Sequence, residues 1–182
     1  MKSLHKIAGG LLLLGSLSVA SCGQKPVFFP KLPVSDIQAY FSEAAQTQAI
    51  DTAFYEVKDA SGNLLGTVLF SSPYSDAVQG FNGPTPLLIA LDSDGRIKNV
   101  VLMDHQETPR FAQRVVDGGL YESWNGLTVD EALGKEVDAV SGATYTSNGV
   151  KLSLKARLDA YEKQLKKERN EQNGFWQRLL SR

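Results

Sequence analysis

The stretch Ala53-Phe54-Tyr55-Glu56-Val57-Lys58-Asp59-Ala60-Ser61-Gly62-Asn63-Leu64-Leu65-Gly66-Thr67-Val68-Leu69-Phe70 decides the fold class. Its two ends, Ala53–Val57 and Leu64–Phe70, are strand-like runs, and Asp59-Ala60-Ser61-Gly62-Asn63 between them is a turn-rich connection, so the whole reads as a β-hairpin. A second pair repeats the pattern: Pro86–Leu91 and Ile97–Met103 flank Asp92-Ser93-Asp94-Gly95. Outward from the hairpins the period changes to that of helices. Ser35 stands as an N-cap with Gln38 three residues on, and Ile37, Tyr40, Phe41, Ala44 and Ala45 predict a helix over 35–48. Pro109 opens a short helix with Phe111, Val115 and Val116 on one side, stopped by Gly118-Gly119, and a brief helix follows at Val129–Leu133. The last long helix begins after Thr146-Ser147 and puts Val150, Leu154, Leu158, Tyr161 and Leu165 on one face. Hairpins grouped between terminal helices predict an α+β fold, in which antiparallel β-hairpins form a sheet flanked by N-terminal and C-terminal helices.

The 182 residues are 42% apolar and 21% charged, enough for one ordinary globular domain. No basic run outside the far C-terminus offers a track for a phosphodiester backbone, so nucleic acid is not an expected partner. Residues 1–21 carry Lys2 and Lys6, then an apolar stretch from Ile7 to Val19, then Ala20 and Ser21, the layout of a secretory signal. Val19-Ala20-Ser21-Cys22 resembles a bacterial lipobox, which implies lipidation at Cys22 and a working part held at a membrane surface outside the cytoplasm. The alternatives are a secreted protein with an incidental thiol or an uncleaved membrane helix. Residues 22–34, with Pro26, Pro30 and Pro33, read as a lipid-anchored tether, 35–169 as the domain, and 170–182 as an amphipathic tail. Phe175, Trp176, Leu179 and Leu180 give that tail its apolar side, for packing on the domain, docking a partner or touching the bilayer.

Cys22 is the only cysteine and His105 the only histidine beyond the signal, so no cluster exists for a metal or a haem, and no thiol is free for catalysis. Nor does any nucleophile, base and orienting group fall into a pattern, so no catalytic residue is assigned. The chemistry gathers instead in Asp138-Ala139-Val140-Ser141-Gly142-Ala143-Thr144-Tyr145-Thr146-Ser147-Asn148-Gly149-Val150. Hydroxyls and a glycine just ahead of a helix make a natural phosphate site, because unpaired amide N–H groups and the positive end of the helix dipole converge there. By the residues alone, Thr146 or Ser147 serves equally as a plain N-cap.

Asp138-x-x-Ser141-Gly142-Ala143-Thr144 resembles the flavinylation motif of the FMN-binding domain family, in which a flavin transferase links the FMN phosphate to the last threonine. That family includes the FMN-bearing subunits of the sodium-translocating NADH:quinone oxidoreductase and Rnf complexes. Further stretches resemble it in order and spacing: Gly80-Phe81-Asn82-Gly83-Pro84, Asp94-Gly95-Arg96-Ile97 and His105-Gln106-Glu107-Thr108-Pro109, so that residues 50–165 are covered. Arg110-Phe111 stands where the family continues with glycine. The resemblance implies FMN on Thr144, with Thr146 as the second choice, and a cofactor site that also draws on Asp138, Ser141, Gly142, Ala143, Tyr145, Gly83, Glu107 and Thr108. His105 is either a structural histidine or one that tunes the flavin. The implied function is a membrane-tethered flavoprotein that relays electrons between a membrane donor and an extracytoplasmic acceptor, with a flavin transferase and redox proteins as partners. The resemblance thus implies an electron-transfer flavoprotein rather than a self-contained enzyme. A flavin reductase of a small soluble substrate, or a non-redox lipoprotein binding module with an unmodified motif, are the alternatives.

Overall fold

The computed structural model describes residues 31–180; the signal over 1–21, Cys22 and most of the tether lie outside the described residues. Five strands, β1 (Gln46–Ala49), β2 (Phe54–Lys58), β3 (Leu64–Phe70), β4 (Leu87–Asp92) and β5 (Ile97–Leu102), form one antiparallel sheet in sequence order. Both predicted hairpins are therefore present, and they join through the β3–β4 pair. Three α-helices follow: α1 (Pro109–Asp117), α2 (Val129–Gly134) and α3 (Thr144–Leu180). The fold is α+β, with its long helix at the C-terminal end.

Alternation along the strands divides the apolar residues between two faces. Phe54, Leu69, Leu87, Ile89 and Leu91 point to the helix side and pack with Val115, Trp124, Val150, Leu154 and Leu158. Tyr55, Val57, Val68, Leu88 and Ala90 point the other way, onto Ile37, Phe41 and Ala44. Strand β4 is buried on both faces, which is why Leu87–Leu91 reads as an unbroken apolar run.

The predicted helix over 35–48 is corrected. Val34–Asp36 makes a single 3-10 turn, the chain continues through turns to Ala44, and residues 46–49 are strand β1. The apolar spacing of Ile37, Phe41 and Ala44 marks burial and not helix, since turns satisfy it just as well: the Phe41 N–H donates to the Ile37 carbonyl at 3.0 Å and the Ala44 N–H to the Phe41 carbonyl at 3.0 Å. Tyr40 is half-buried and Ala45 exposed. The open edge of β2 then claims residues 46–49, and the Thr47 hydroxyl donates to the Leu32 carbonyl at 2.6 Å.

The start of the last helix also shifts. It begins at Thr144 and not after Ser147, so Thr146 and Ser147 lie inside its first turn rather than capping it. The Ser147 hydroxyl instead accepts the Val140 N–H at 3.1 Å, binding the motif's turn back onto the helix. On α1, Val115 is buried as predicted but Val116 is exposed. At the far end α3 runs unbroken through Gly174, and Phe175, Trp176, Leu179 and Leu180 are exposed, so among the described residues the tail's apolar side does not pack on the domain.

Candidate functional site

The site is made where three segments meet: the loop 79–86 before β4, the connection from β5 into α1, and the first two turns of α3. Two glycines allow the first and third to touch. A Cβ on Gly149 of α3 would lie 2.8 Å from the Gly80 Cα, so helix and loop are in backbone contact there. The buried hydroxyls of Thr85 and Ser153 hydrogen-bond at 3.0 Å just beyond.

Glu107 ties all three together. It is 3% exposed; its Oε1 accepts the Asn82 N–H at 2.8 Å, and its Oε2 accepts the Thr146 hydroxyl. The Asn82 side chain donates to the Gln106 carbonyl at 2.7 Å, and the His105 Nδ1 accepts the Glu107 N–H at 3.0 Å, so this corner is held from both sides. Behind it, burial and the nearby carboxyls of Glu107 and Glu122 push the Tyr121 hydroxyl up to about 12. Thr108 precedes α1 at the N-cap position with its carbonyl accepting the Phe111 and Ala112 N–H groups, and Pro109 takes the first helical position, where its missing N–H costs nothing.

Above this corner lies an open pocket of about 230 Å³ lined by Phe81, Phe111, Gly142, Ala143, Thr144, Tyr145 and Thr146. Phe81 is 54% exposed and Tyr145 70%. The rings of Phe81 and Phe111 meet edge-to-face with centroids 4.8 Å apart, and Tyr145 stands 6.4 Å from Phe81. Exposed aromatic rings around a concave surface suit a flat apolar ring system. The rim is polar: Thr144 is the first residue of α3, exposed, in a turn of helix whose N–H groups lack intrahelical partners. Thr146, by contrast, is 1% exposed and its hydroxyl is given to Glu107.

Five of the expected cofactor-site residues, Gly142 to Thr146, thus share one pocket, and Glu107 supports it from behind through Thr146. Asp138, Ser141, Thr108 and Gly83 do not line it; Asp138 and Ser141 are exposed on the approach to the turn, and Gly83 lies against Gln106. His105 is exposed and faces the Glu107 backbone. Phe81, Phe111 and Arg114 belong to this place without having been singled out for it. Phe111 stands in the sequence as one more apolar helix residue, and only Arg110-Phe111 in place of glycine hints at a different wall. Arg114 reaches the motif from α1: a Cβ on Gly142 would fall 2.4 Å from its Nη1.

An aromatic pocket with a hydroxyl and free amide groups at its rim fits a flat ring carrying a phosphate. Residues 80–159 match the family model described as FMN-binding domain. The chain is 21% identical over 148 residues to a subunit of the Na(+)-translocating ferredoxin:NAD(+) oxidoreductase complex of Acetobacterium woodii, covering 76% of this chain and 69% of that one. Subunits of ion-translocating oxidoreductase complexes are similar as well, at 28% identity in Stutzerimonas stutzeri and 32% in Methanosarcina acetivorans. Each of these matches takes in 58% of this chain, and the chain spans about half of the relative, 50% and 56%. Among solved structures, the crystal structure of Shewanella oneidensis NqrC is similar with a TM-score of 0.43 and 23% identity over 70% of this chain and 73% of that one. Among the described residues no helix is long and apolar enough to cross a membrane.

Proposed function

We propose that this protein is an electron-transfer flavoprotein that carries FMN as a phosphoester on Thr144, tethered through Cys22 to the outer side of a membrane. The observation that carries the reading is the contrast between the two threonines of Thr144-Tyr145-Thr146. Thr144 is exposed at the rim of the aromatic pocket, whereas the Thr146 hydroxyl is buried and committed to Glu107. A hydroxyl that must meet a large flavin nucleotide has to be reachable. Phe81, Phe111 and Tyr145 would then hold the ring, and the first turn of α3 the phosphate.

FMN supplies one- and two-electron chemistry, and the protein's part is to attach it, orient it and set its surroundings. The relatives named as subunits of oxidoreductase complexes support a place in an electron chain, and the lipobox-like Val19-Ala20-Ser21-Cys22 would set that place between membrane-bound and extracytoplasmic redox proteins. A covalent link suits that place, since a cofactor outside the cytoplasm that dissociates is lost by dilution. In-gel flavin fluorescence and intact mass of denatured protein, co-expressed with a flavin transferase, test the site. An FMN-sized adduct is expected in wild type and in Thr146→Ala and absent in Thr144→Ala. Loss in Thr146→Ala alone moves the attachment, and an unmodified wild type beside a modified control substrate rejects covalent flavin.

A further inference from the structure

We infer that Arg114 neutralises the phosphate through which the flavin is joined to Thr144, an inference that rests on the reading of Thr144 given above. The structure gives this arginine an unusual seat. A Cβ on Gly142 would meet its Nη1 at 2.4 Å, Cζ at 3.3 Å and Cδ at 3.5 Å, so the guanidinium and its stem lie along the glycine of the motif, two residues before Thr144. Gly142 also has φ +76°, a left-handed conformation that ties the residue to glycine by its backbone.

No partner among the described residues explains the position. Among the described residues Arg114 takes part in no ion pair, and its side chain makes no hydrogen bond. The carboxylate one turn away on the same helix, Asp117, accepts instead from Gln113 at 2.9 Å. A guanidinium pressed on a small-residue turn beside a reachable hydroxyl offers planar N–H donors to the non-bridging oxygens of a phosphodiester, which bears one negative charge. Arg114 sits on α1, which also supplies Phe111 to the pocket wall, so one helix would grip both ends of the cofactor.

The same contact bears on how the link is made. Thr144 Oγ forms a bond to phosphorus while the bond from that phosphorus to an anhydride oxygen breaks; the donor is a flavin dinucleotide, the leaving group a nucleoside monophosphate, and the threonine proton passes to solvent. The non-bridging oxygens carry negative charge throughout the exchange, so a cation already fixed beside Gly142 attracts the incoming phosphate and holds it in line with the hydroxyl.

The experiment is a time course of adduct mass on the purified full chain with a flavin transferase and flavin dinucleotide, for wild type, Arg114→Lys, Arg114→Gln and Thr144→Ala, joined to the phosphorus resonance of the finished products. Arg114→Gln is expected to slow modification roughly three- to tenfold at low salt, an exposed charge-assisted contact being worth that much. Arg114→Lys recovers part of the rate, the gap narrows at about 1 M salt, the phosphorus resonance moves in Arg114→Gln, and the melting temperature does not. An unchanged rate in Arg114→Gln overturns the inference and leaves Thr144 standing. So does a slower rate with an unmoved resonance, which assigns Arg114 to docking the transferase. An unmodified wild type beside a modified control, or a fully modified Thr144→Ala, removes the reading of Thr144 and this inference with it.

Discussion

Glu107 is one side chain on which three segments depend. Its carboxyl oxygens satisfy the Asn82 N–H and the Thr146 hydroxyl; Asn82 is exposed, but Thr146 is 1% exposed and its hydroxyl has no water at hand. Glu107→Ala strands that hydroxyl, and leaving a buried donor unpaired costs about 1–3 kcal/mol. We expect Glu107→Ala to lose about 2 kcal/mol in urea unfolding at an unchanged slope. A loss under about 1 kcal/mol would mean that the hydroxyl finds another partner and that the corner does not rest on this residue. The motif's own residues, Gly142 to Thr146, are legible as a site from sequence because they are contiguous. The pairing of Glu107 with Thr146 is not, because it spans 39 residues and depends on how α1 and α3 cross the same sheet. Likewise the wall formed by Phe81 and Phe111 joins a loop to helix α1 through a ring contact that neither segment announces.

At the scale of elements, the loop 79–86 and the helix α3 fit because two glycines meet. Gly149→Ala poses two principles against each other. In a helix interior alanine is favoured over glycine by about 1 kcal/mol. Here the added Cβ would stand 2.8 Å from the Gly80 Cα and 3.0 Å from the Gly80 N, backbone atoms that cannot rotate away, and forcing such a contact costs about 1–3 kcal/mol. We expect the steric term to win: the midpoint of thermal unfolding falls by a few degrees in Gly149→Ala, the loop moves off the helix, and flavin modification at Thr144 declines with it. A midpoint that rises, as at an unconstrained helical glycine, would show that loop and helix are not in contact. The hairpins themselves were readable because β2 to β5 alternate or run apolar between turn residues. Strand β1 was not, since Gln46-Thr47-Gln48-Ala49 has no apolar pattern and is a strand only because the β2 edge needs partners. For the same reason the spacing of Ile37, Phe41 and Ala44 predicts a buried face correctly and a helix wrongly.

The whole molecule is a domain with an arm. Helix α3 has 37 residues, about 55 Å at 1.5 Å per residue, and its last buried core contact is at Tyr161, with Leu165 packed at the margin. Beyond that point Phe175, Trp176, Leu179 and Leu180 are exposed, although they continue the apolar side of the helix. Residues 163–182 hold six basic against two acidic side chains in a chain whose net charge is −1, so the arm is basic and the body acidic. Among the described residues none beyond Leu165 joins the core, so that part of the arm contributes little to the stability of the body. Deleting residues 170–182 is therefore expected to leave the unfolding midpoint within about 2 °C of the full chain, a change below 1 kcal/mol for a protein of this size. Tryptophan fluorescence gives the independent check, because the chain has two tryptophans: Trp124 is 2% exposed and Trp176 57%. Acrylamide is expected to quench the full chain in two classes, and the deletion to remove the accessible one alone. A midpoint lowered by 4 °C or more, or a Trp176 shielded from acrylamide in the purified protein, would place the arm against the domain or against a second copy of it and overturn the picture of a free helix.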